Sequence, residues 1–319
     1  MQVIRGLINV HQEHRHTVLT IGNFDGVHLG HQAVFAALRQ RAQDFGLSST
    51  VMIFEPQPLE FFMPDKAPPR LTRLAEKLQA IADAGVDQVL VMRFNREFAE
   101  LCAELFIQRI LVDGLAVQHL YIGDDFRFGR QRQGNIDTLR LAGLEHGFGV
   151  ESLHTIADEH GRYSSTRIRE HLQRGEFELA ACCLGRQYRI CGRVAHGHKQ
   201  GRAIGYPTIN IELKRNKSPL LGVFAVLVYG LQDGPLKGVA SIGNRPVVEN
   251  DDHYLLEVHL FDFDADVYGE HVQVEFVQHI RDECDFASFE QLRQQIDADA
   301  RQARDILSRS THNSERLLT

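Results

Sequence analysis

The chain has 319 residues, a length that favours two domains of roughly 130 to 190 residues over a single hydrophobic core. Hydrophobic residues make up 43% and charged residues 24% of the sequence, and no apolar run reaches the roughly 20 residues of a membrane span, so we expect a soluble globular protein. The formal net charge of −7 excludes a non-specific DNA-binding protein, which needs a net basic face, but a few local cations still suffice to hold a nucleotide.

The cysteines favour neither a disulfide framework nor a zinc site. Their number is odd and they form no C-x-x-C pair; they are Cys102, Cys182, Cys183, Cys191 and Cys284. The first residues, Met1 to Gly6, lack the apolar stretch and the small-residue cleavage site of a secretory leader. We therefore expect reduced thiols and a cytoplasmic protein.

The first half of the chain predicts strands that alternate with helices. Near-continuous apolar strands are expected at residues 18–21, 50–54, 86–92, 117–122 and 148–153. Between them, apolar residues recur at helical spacing, as at Val34, Leu38, Ala42 and Phe45. Buried strands between helices indicate a parallel sheet covered on both faces. The predicted class is α/β, with a Rossmann-like N-terminal domain that binds ligands beyond the carboxyl ends of its strands.

The pattern changes near Leu184, after which strands predominate. They are expected at residues 188–194, 223–229, 236–241, 255–261 and 272–276. Short strands at this spacing indicate an antiparallel β-barrel. A C-terminal helix follows, whose buried face is predicted to comprise Phe289, Leu292, Ile296, Ala303 and Ile306. We place one domain at residues 1–184 and the barrel domain at 185–310, and we predict a disordered tail at 311–319.

The segment from Gly22 to His31 follows the first strand and leads into the first helix. Glycines at positions 22, 26 and 30 allow a sharp turn, and the helix N-terminus offers free N–H groups to phosphates. His28 and His31 are three residues apart, so both imidazoles can stabilise the charge on a nucleoside triphosphate whose α-phosphorus is attacked. The alternative is a tight turn with two surface histidines, in a chain that contains 17 histidines.

The segment from Gly22 to His31 resembles the H-x-G-H signature of nucleotidyltransferases, in the form found in bacterial bifunctional riboflavin kinase/FAD synthetases. The segments 54–58, 123–129 and 164–169 resemble further motifs of that family, although Gln57 stands where the family usually has His. The resemblance implies nucleotide or phosphate contacts from Gly22, Asn23, Phe24, Asp25, Gly26, Ser164, Ser165, Thr166 and Arg167. It implies flavin contacts from Phe54, Pro56, Pro58, Asp125, Phe126 and Phe128.

The segment 192–210 carries glycines and cations that indicate a second phosphate site. Its backbone N–H groups and cations can wrap a polyphosphate; the residues concerned are Gly197, Lys199, Gly201, Arg202 and Gly205. Thr208 and Asn210 project their oxygens to one side of an extended segment, where they can ligate Mg²⁺. The spacing is not that of a P-loop, and an exposed basic hairpin loop is the alternative.

This stretch resembles throughout the flavokinase signature G-R-V-x-H-G-x-x-x-G-R-x-L/I-G-x-P-T-x-N of the same family. The resemblance implies that Gly192, His196 and Pro207 also bind the nucleotide. It implies that Arg245 and Arg281 touch flavin, and that Glu257 is the general base that accepts a hydroxyl proton. Without the resemblance, Glu257 would be taken for a solvated residue on an alternating strand. Val247 stands where the family usually has Thr.

The resemblance extends from Val3 to Leu307 and implies two reactions, riboflavin to FMN in the barrel and FMN to FAD in the N-terminal domain, each with one ATP. The expected ligands are riboflavin, FMN, FAD, ATP and Mg²⁺, and neither nucleic acid nor membrane is expected. Two rivals are an adenylyltransferase fused to a non-catalytic flavin-binding barrel and a flavin-storage module. The presence of His28, His31 and Glu257 favours the enzyme with two activities.

Overall fold

The structure is a computed structural model that describes residues 1–153, 157–159, 161–196, 206–215, 217–246 and 252–316. The chain divides into two compact units, the first formed by residues 1–68 and 72–165 and the second by residues 69–71 and 166–319. The division at 165 lies before the boundary at 184 that we expect from the sequence, and that boundary stays a prediction.

The strands of the first unit are β1 Gln2–Arg5, β2 Thr17–Ile21, β3 Ser48–Glu55, β4 Gln88–Arg93, β5 His119–Gly123, β6 Gly149–Leu153, β7 Ala157–Asp158 and β8 Gly161–Arg162. The α-helices are α1 Leu29–Phe45, α2 Pro58–Phe62, α3 Leu74–Asp83, α4 Arg96–Ala99, α5 Ala103–Phe106 and α6 Ile136–His146. A π-helix, Ile107–Val112, continues α5. Short 3-10 helices cover Leu7–Asn9, Gln12–His14, Pro64–Lys66 and Arg130–Arg132.

Six strands of the first unit form a parallel sheet in the order β1-β4-β3-β2-β5-β6. The five strands predicted from apolar runs are present, which confirms the α/β class. The sixth, β1, lies at the edge of the sheet, and Ile4 is its one buried residue. An edge strand with exposed side chains lacks the apolar run that predicts buried strands, so β1 could not be predicted from the sequence.

Alternate residues of the strands pack into two apolar clusters, one on each face of the sheet. Leu19 and Met52 belong to one cluster. Val18 and Val51 belong to the other, together with Phe35 of α1. In the middle of the sheet β2 pairs with β3 on one side and with β5 on the other. The segments that follow β2, β3 and β5 therefore meet at the carboxyl edge of the sheet, where open α/β sheets bind ligands.

The second unit contains α7 Ser165–Gln173, whose first residue belongs to the first unit, and α8 Phe177–Leu184. Its strands are β9 Arg189–Ala195, β10 Thr208–Glu212, β11 Gly222–Tyr229, β12 Leu236–Pro246, β13 Asp252–Leu260 and β14 His271–Arg281. The last helix, α9 Phe289–Arg316, runs past residue 310, where the sequence predicts that the barrel domain ends.

The six strands close into an antiparallel barrel in the order β10-β13-β12-β11-β14-β9, as predicted. On β13, Leu256 and Val258 are buried, whereas Glu257 lies half-buried on the opposite face. Helix α9 packs Ala303 against the outer face of β11. The expectation that Phe289 is buried is wrong, because this side chain is 73% exposed.

Candidate active sites

The loop between β2 and α1 is held in place by hydrogen bonds with the backbone and the side chain of Thr72. The backbone N–H of Thr72 donates to Oδ1 of Asp25 over 3.0 Å, and its hydroxyl donates to the same oxygen over 3.1 Å. The N–H of Gly26 donates back to the Thr72 hydroxyl over 3.0 Å. Asp25 is 3% exposed. Its carboxylate, which the resemblance assigns to the nucleotide, thus lies in the interior, where it shapes the loop.

The loop places two imidazoles at the N-terminus of α1. His28 is the N-cap of the helix, and its Nδ1 accepts a hydrogen bond from the backbone N–H of His31 over 3.3 Å. The two rings are stacked, with centroids 3.6 Å apart and planes at 19°. A Cβ atom on Gly30 would lie 3.1 Å from the His28 ring, so the absence of a side chain at position 30 lets this ring lie close to the helix.

Burial and neighbouring positive charge lower the pKa of His31 well below the ordinary value of 6.5. Desolvation is the largest cause, and the charges of His28, Lys77 and Arg162 act in the same direction. Within the described part of the chain, Nδ1 of His31 is buried without a hydrogen-bond partner. His31 is therefore neutral in the free protein at neutral pH, and the positive charges of Lys77 and Arg162 that act on it favour an anionic ligand.

The residues predicted to bind nucleotide around the loop occupy different environments. Asn23 is exposed, and Phe24 is buried with its ring edge-on to His31, 5.1 Å between centroids. The hydroxyl of Ser165 donates to the carbonyl of Asp25 over 2.9 Å. Ser164 is half-buried.

Thr166 and Arg167 are assigned to the second unit. Thr166 is exposed there, and Nε of Arg167 donates to Nε2 of His171 over 3.4 Å. Their predicted contact with the nucleotide phosphates stays a prediction.

An aromatic cluster lies behind the segments that follow β3 and β5. Phe54 and Phe128, both predicted to touch flavin, are 7% and 6% exposed and belong to the core. Phe126 is only half-buried and stacks on Phe128, with centroids 5.7 Å apart. Of these three rings, Phe126 is the one with a face that a ligand can reach. Asp125 is exposed next to it.

Two aromatic rings that were not predicted from the sequence lie close to the predicted flavin residues. Phe61 and Phe62 on α2 are 37% and 59% exposed, and both contact the ring of Phe94 at 5.5 and 5.6 Å. Helix α2 buries none of its residues and begins directly after the half-buried Pro56 and the buried Gln57. The signal was the apolar run that follows residue 58, in a segment too short to form a core helix.

The barrel brings Glu257 and Asn210, one of the two predicted metal ligands, into one row of residues. In the register of neighbouring strands, Asn210 of β10 lies directly opposite Glu257 of β13. Glu257 in turn lies opposite Ser241 of β12, and Asn210 lies opposite Ala195 of β9. Residues directly opposite in an antiparallel pair have Cβ atoms about 5 Å apart. The carboxylate and the amide are thus near neighbours on the outer face of the barrel.

A cavity of about 350 Å³ opens beside this row. Its polar lining includes Thr208, Glu257 and Arg281, so it joins three of the residues predicted from the sequence. Its apolar lining comes from the barrel, from α9 and from the segment between them: Val223, Val239, Ala240, Phe286, Phe289, Leu292 and Ile296. Three of these were predicted to form the buried face of α9; they line the cavity because this part of the helix stands off the barrel.

Arg281 lines the cavity with its guanidinium already held by α9. Nη2 of Arg281 lies 2.8 Å from Oδ2 of Asp299, and Nε donates to both carboxylate oxygens at 3.1 and 3.0 Å. Asp299 is 4% exposed and also accepts from Nε2 of Gln295 over 2.9 Å. The pairing fixes the wall of the cavity and anchors α9 at that point.

Of the other predicted residues of the barrel site, three are described with their surroundings: Gly192, His196 and Pro207. Gly192 is buried within β9, and the ring of His196 lies 3.9 Å from the ring of Tyr268. Pro207 precedes β10, and its carbonyl accepts a hydrogen bond from Nδ1 of His259 over 2.9 Å. Outside the described residues lie Gly197, Lys199, Gly201, Arg202, Gly205 and Val247, as does the side chain of Arg245.

The donor set beside Glu257 has the chemistry of a magnesium site. Thr208 and Asn210 lie two residues apart on β10, so they project to the same side of the strand. Hydroxyl, amide and carboxylate oxygens are the ligands that hard cations prefer. Asn210 is 6% exposed, which limits its alternatives for solvation. These residues fit a magnesium ion.

Two family models match the chain in succession. One, described as FAD synthetase, matches residues 10–167, and the other, described as riboflavin kinase, matches residues 184–307. Among the described residues, no helix is long and apolar enough to cross a membrane.

Curated relatives match nearly end to end. Proteins described as bifunctional riboflavin kinase/FMN adenylyltransferase from Pseudomonas fluorescens and Escherichia coli strain K12 are each 49% identical to this chain. The first match covers 98% of this chain and 100% of the relative; the second covers 96% and 98%. A solved structure from Streptococcus pneumoniae, described as a macrolide-efflux protein, has a TM-score of 0.76 and 31% identity over 94% of this chain and 97% of its own.

Proposed function

The chain belongs to the family of bifunctional riboflavin kinase/FMN adenylyltransferases, and from this membership we propose how its two units divide two reactions. The barrel transfers the γ-phosphate of ATP to riboflavin and forms FMN. The parallel-sheet unit transfers the adenylyl group of a second ATP to FMN and forms FAD and pyrophosphate. Riboflavin, FMN, FAD and ATP are thus substrates or products of one chain.

In the adenylyl transfer, an FMN phosphate oxygen attacks the α-phosphorus of ATP, and the bond to the bridging oxygen of the β-phosphate breaks. No side chain needs to form a covalent bond, because positioning and charge stabilisation suffice. His28 and His31 lie stacked at the start of α1, where N–H groups and the helix dipole also favour negative charge. We assign to both imidazoles the stabilisation of the charge on the triphosphate.

In the phosphoryl transfer, the primary hydroxyl of riboflavin attacks the γ-phosphorus and ADP leaves. The hydroxyl proton needs an acceptor within hydrogen-bond reach, and we assign this role to Glu257. The carboxylate faces the cavity in which Thr208 also lies. The apolar wall formed by α9 and β11 offers a surface for the flat ring system of the flavin.

We further assign Thr208 and Asn210, next to Glu257, to binding Mg²⁺. Magnesium bound there would screen the negative charge of the ATP phosphates. In the parallel-sheet unit we assign Phe126 to one side of the FMN ring and the exposed rings of Phe61 and Phe62 to the same binding surface.

The observation that carries the proposal is that each unit contains its own set of reactive groups, His28 with His31 in one and Glu257 with Thr208 in the other. The test is to incubate the protein with riboflavin, ATP and Mg²⁺ and to resolve the flavins by chromatography. We expect FMN to appear first and FAD to follow. Absence of FMN would contradict the kinase, and FMN without FAD would contradict the adenylyltransferase. FAD formed from supplied FMN but never from riboflavin would favour a non-catalytic flavin-binding barrel.

A further inference from the structure

The inner face of α3 carries a lysine among apolar residues. Leu74, Lys77 and Ile81 recur at the spacing of one helical face, and Leu74 and Ile81 pack into the apolar cluster on one side of the sheet. Lys77 is fully buried, at 0% exposure, as is Ile81. A leucine would complete this face, so the pattern of the helix does not explain the lysine.

A buried ammonium group is costly for the fold. Removing the charge from water costs several kcal/mol, and exchange for a well-packed apolar residue is often neutral or stabilising. Groups whose burial is costly recur where function needs a charge in a place shielded from water. The position of Lys77 relative to the functional loop therefore decides what the charge can do.

Helix α3 is tied to the loop between β2 and α1. Thr72, two residues before the helix, makes the contacts to Asp25 and Gly26 described above. Leu74 and Leu78 flank Lys77 and pack into the cluster that contains Phe24 and Val27 of the loop. Lys77 thus lies in the interior beside the loop that carries His28 and His31.

The charged groups that act on His31 come from three elements around it. They are His28 from the same loop, Lys77 from α3 and Arg162 from β8. Each disfavours a proton on His31, and Lys77 differs from the other two in being fully buried and thus shielded from screening by salt. Its contribution is fixed, whereas a surface cation can reorient or pair with solvent ions.

We propose that Lys77 is a positioning residue of the adenylyl-transfer site, supplying a fixed internal positive charge beside His31 and the nucleotide loop. The charge acts through His31, because it keeps this imidazole neutral until the triphosphate arrives. This inference rests on the proposed assignment of His28 and His31 to ATP.

The test compares Lys77→Met, which keeps the length of the side chain and removes the charge, with Lys77→Arg, which keeps the charge. We expect kcat/KM for FMN adenylylation to fall about tenfold or more in Lys77→Met, since the removed charge acts at short range in a poorly solvated interior. Lys77→Arg should keep more of this activity. Riboflavin phosphorylation by the barrel of the same molecules should not change, and it serves as an internal measure of folded protein.

The second readout is the titration of histidine side chains by NMR on free protein labelled at histidine. The pKa of His31 should rise in Lys77→Met and stay low in Lys77→Arg, with the His31 signal assigned by its loss in His31→Asn. His119 serves as control, because burial is the main cause that lowers its pKa and its charged neighbours are different ones: Glu151, which raises the pKa, and Arg41, which lowers it.

An unchanged pKa of His31 in Lys77→Met would overturn the inference, as would a joint loss of both activities, since the lysine would then be needed only for folding. The proposed function is tested separately: if His31→Asn kept full adenylylation, the assignment of His31 would fail even where the titration confirmed that Lys77 acts on it.

Discussion

The imidazole rings of His28 and His31 lie face to face at the start of α1, 3.6 Å apart between centroids. Protonation of both stacked rings is energetically unfavourable, because like charges at this distance repel each other. Burial and the charges of His28, Lys77 and Arg162 already lower the pKa of His31. The free site is thus prepared for a ligand that brings negative charge.

Replacement of one imidazole should separate the two activities. In His31→Asn we expect FMN adenylylation to fall about 10²- to 10³-fold, the usual cost of losing one donor that stabilises developing charge. Riboflavin phosphorylation should stay at the wild-type rate. Both rates can be measured by flavin chromatography, with the exposed His146 replaced by Asn as a control. A parallel loss of both rates would contradict two independent sites.

The pKa of His31 also makes a prediction about stability. Between the lowered pKa of the folded state and the ordinary 6.5, the unfolded chain binds a proton that the folded chain does not. Stability should therefore fall as the pH drops through 6.5, by at most about 1.4 kcal/mol per pH unit for this group. The His119 imidazole contributes in the same direction, because its pKa is also lowered.

Urea unfolding of wild type and His31→Asn at pH 7.5 and 5.5 measures this effect. The variant should lose less stability between the two pH values than the wild type, and it should keep the share that belongs to His119. Equal losses in both proteins would show that His31 titrates normally in the folded state.

The sequence predicted the parallel sheet and the barrel because buried strands leave apolar runs and half-buried strands leave alternation. It also predicted the two histidines, since a strand, a glycine-rich turn and a helix start fix their place. It did not reveal Lys77, because a lysine on an amphipathic helix is normally solvated and only the packing of α3 shows it buried.

A methyl group at position 30 should disturb the histidine pair. Its Cβ would lie 3.1 Å from Cε1 and Nδ1 of His28, whose ring is stacked with the ring of His31. We expect Gly30→Ala to lower FMN adenylylation about tenfold through displacement of the ring. Alanine is the better helix former, so the melting temperature should not fall. Full activity in a protein of normal stability would show that the ring position matters little.

Removal of the Thr72 hydroxyl should destabilise the loop between β2 and α1 and leave the activity of the barrel unchanged. Thr72→Val removes its hydrogen bonds to Asp25 and Gly26 inside the protein, at a cost of about 1 to 3 kcal/mol. We expect lower stability and weaker FMN adenylylation, with riboflavin phosphorylation kept. Thr72→Ser keeps the hydroxyl and should stay close to wild type in both assays. If the serine variant were as impaired as the valine variant, packing of the methyl group would explain the effect.

The cavity beside the barrel could not be predicted from the spacing of apolar residues in α9. Phe289, Leu292 and Ile296 have the spacing of a buried helical face, and that spacing cannot distinguish a face packed on a sheet from one that lines a cavity. Only the three-dimensional structure shows that α9 packs tightly at Ala303 and stands off the barrel nearer its start. The same limit applies to Phe128, whose motif indicates a ligand contact and whose ring lies in the core.

Glu257→Gln tests the general base with little change in size. We expect riboflavin phosphorylation to fall about 10²- to 10⁴-fold, because the amide cannot accept the hydroxyl proton. Supplied FMN should still be converted to FAD at the wild-type rate. Retention of kinase activity would assign the carboxylate of Glu257 to the structure of the barrel.

If each unit holds a complete site, the two defective proteins should complement each other in a mixture. With riboflavin, ATP and Mg²⁺, Glu257→Gln alone should form almost no FMN or FAD, and His31→Asn alone should accumulate FMN. Combined in one reaction, they should produce FAD, because FMN released by His31→Asn reaches the intact adenylyl-transfer site of Glu257→Gln. A mixture that makes no more FAD than the separate proteins would show that the two sites do not work independently.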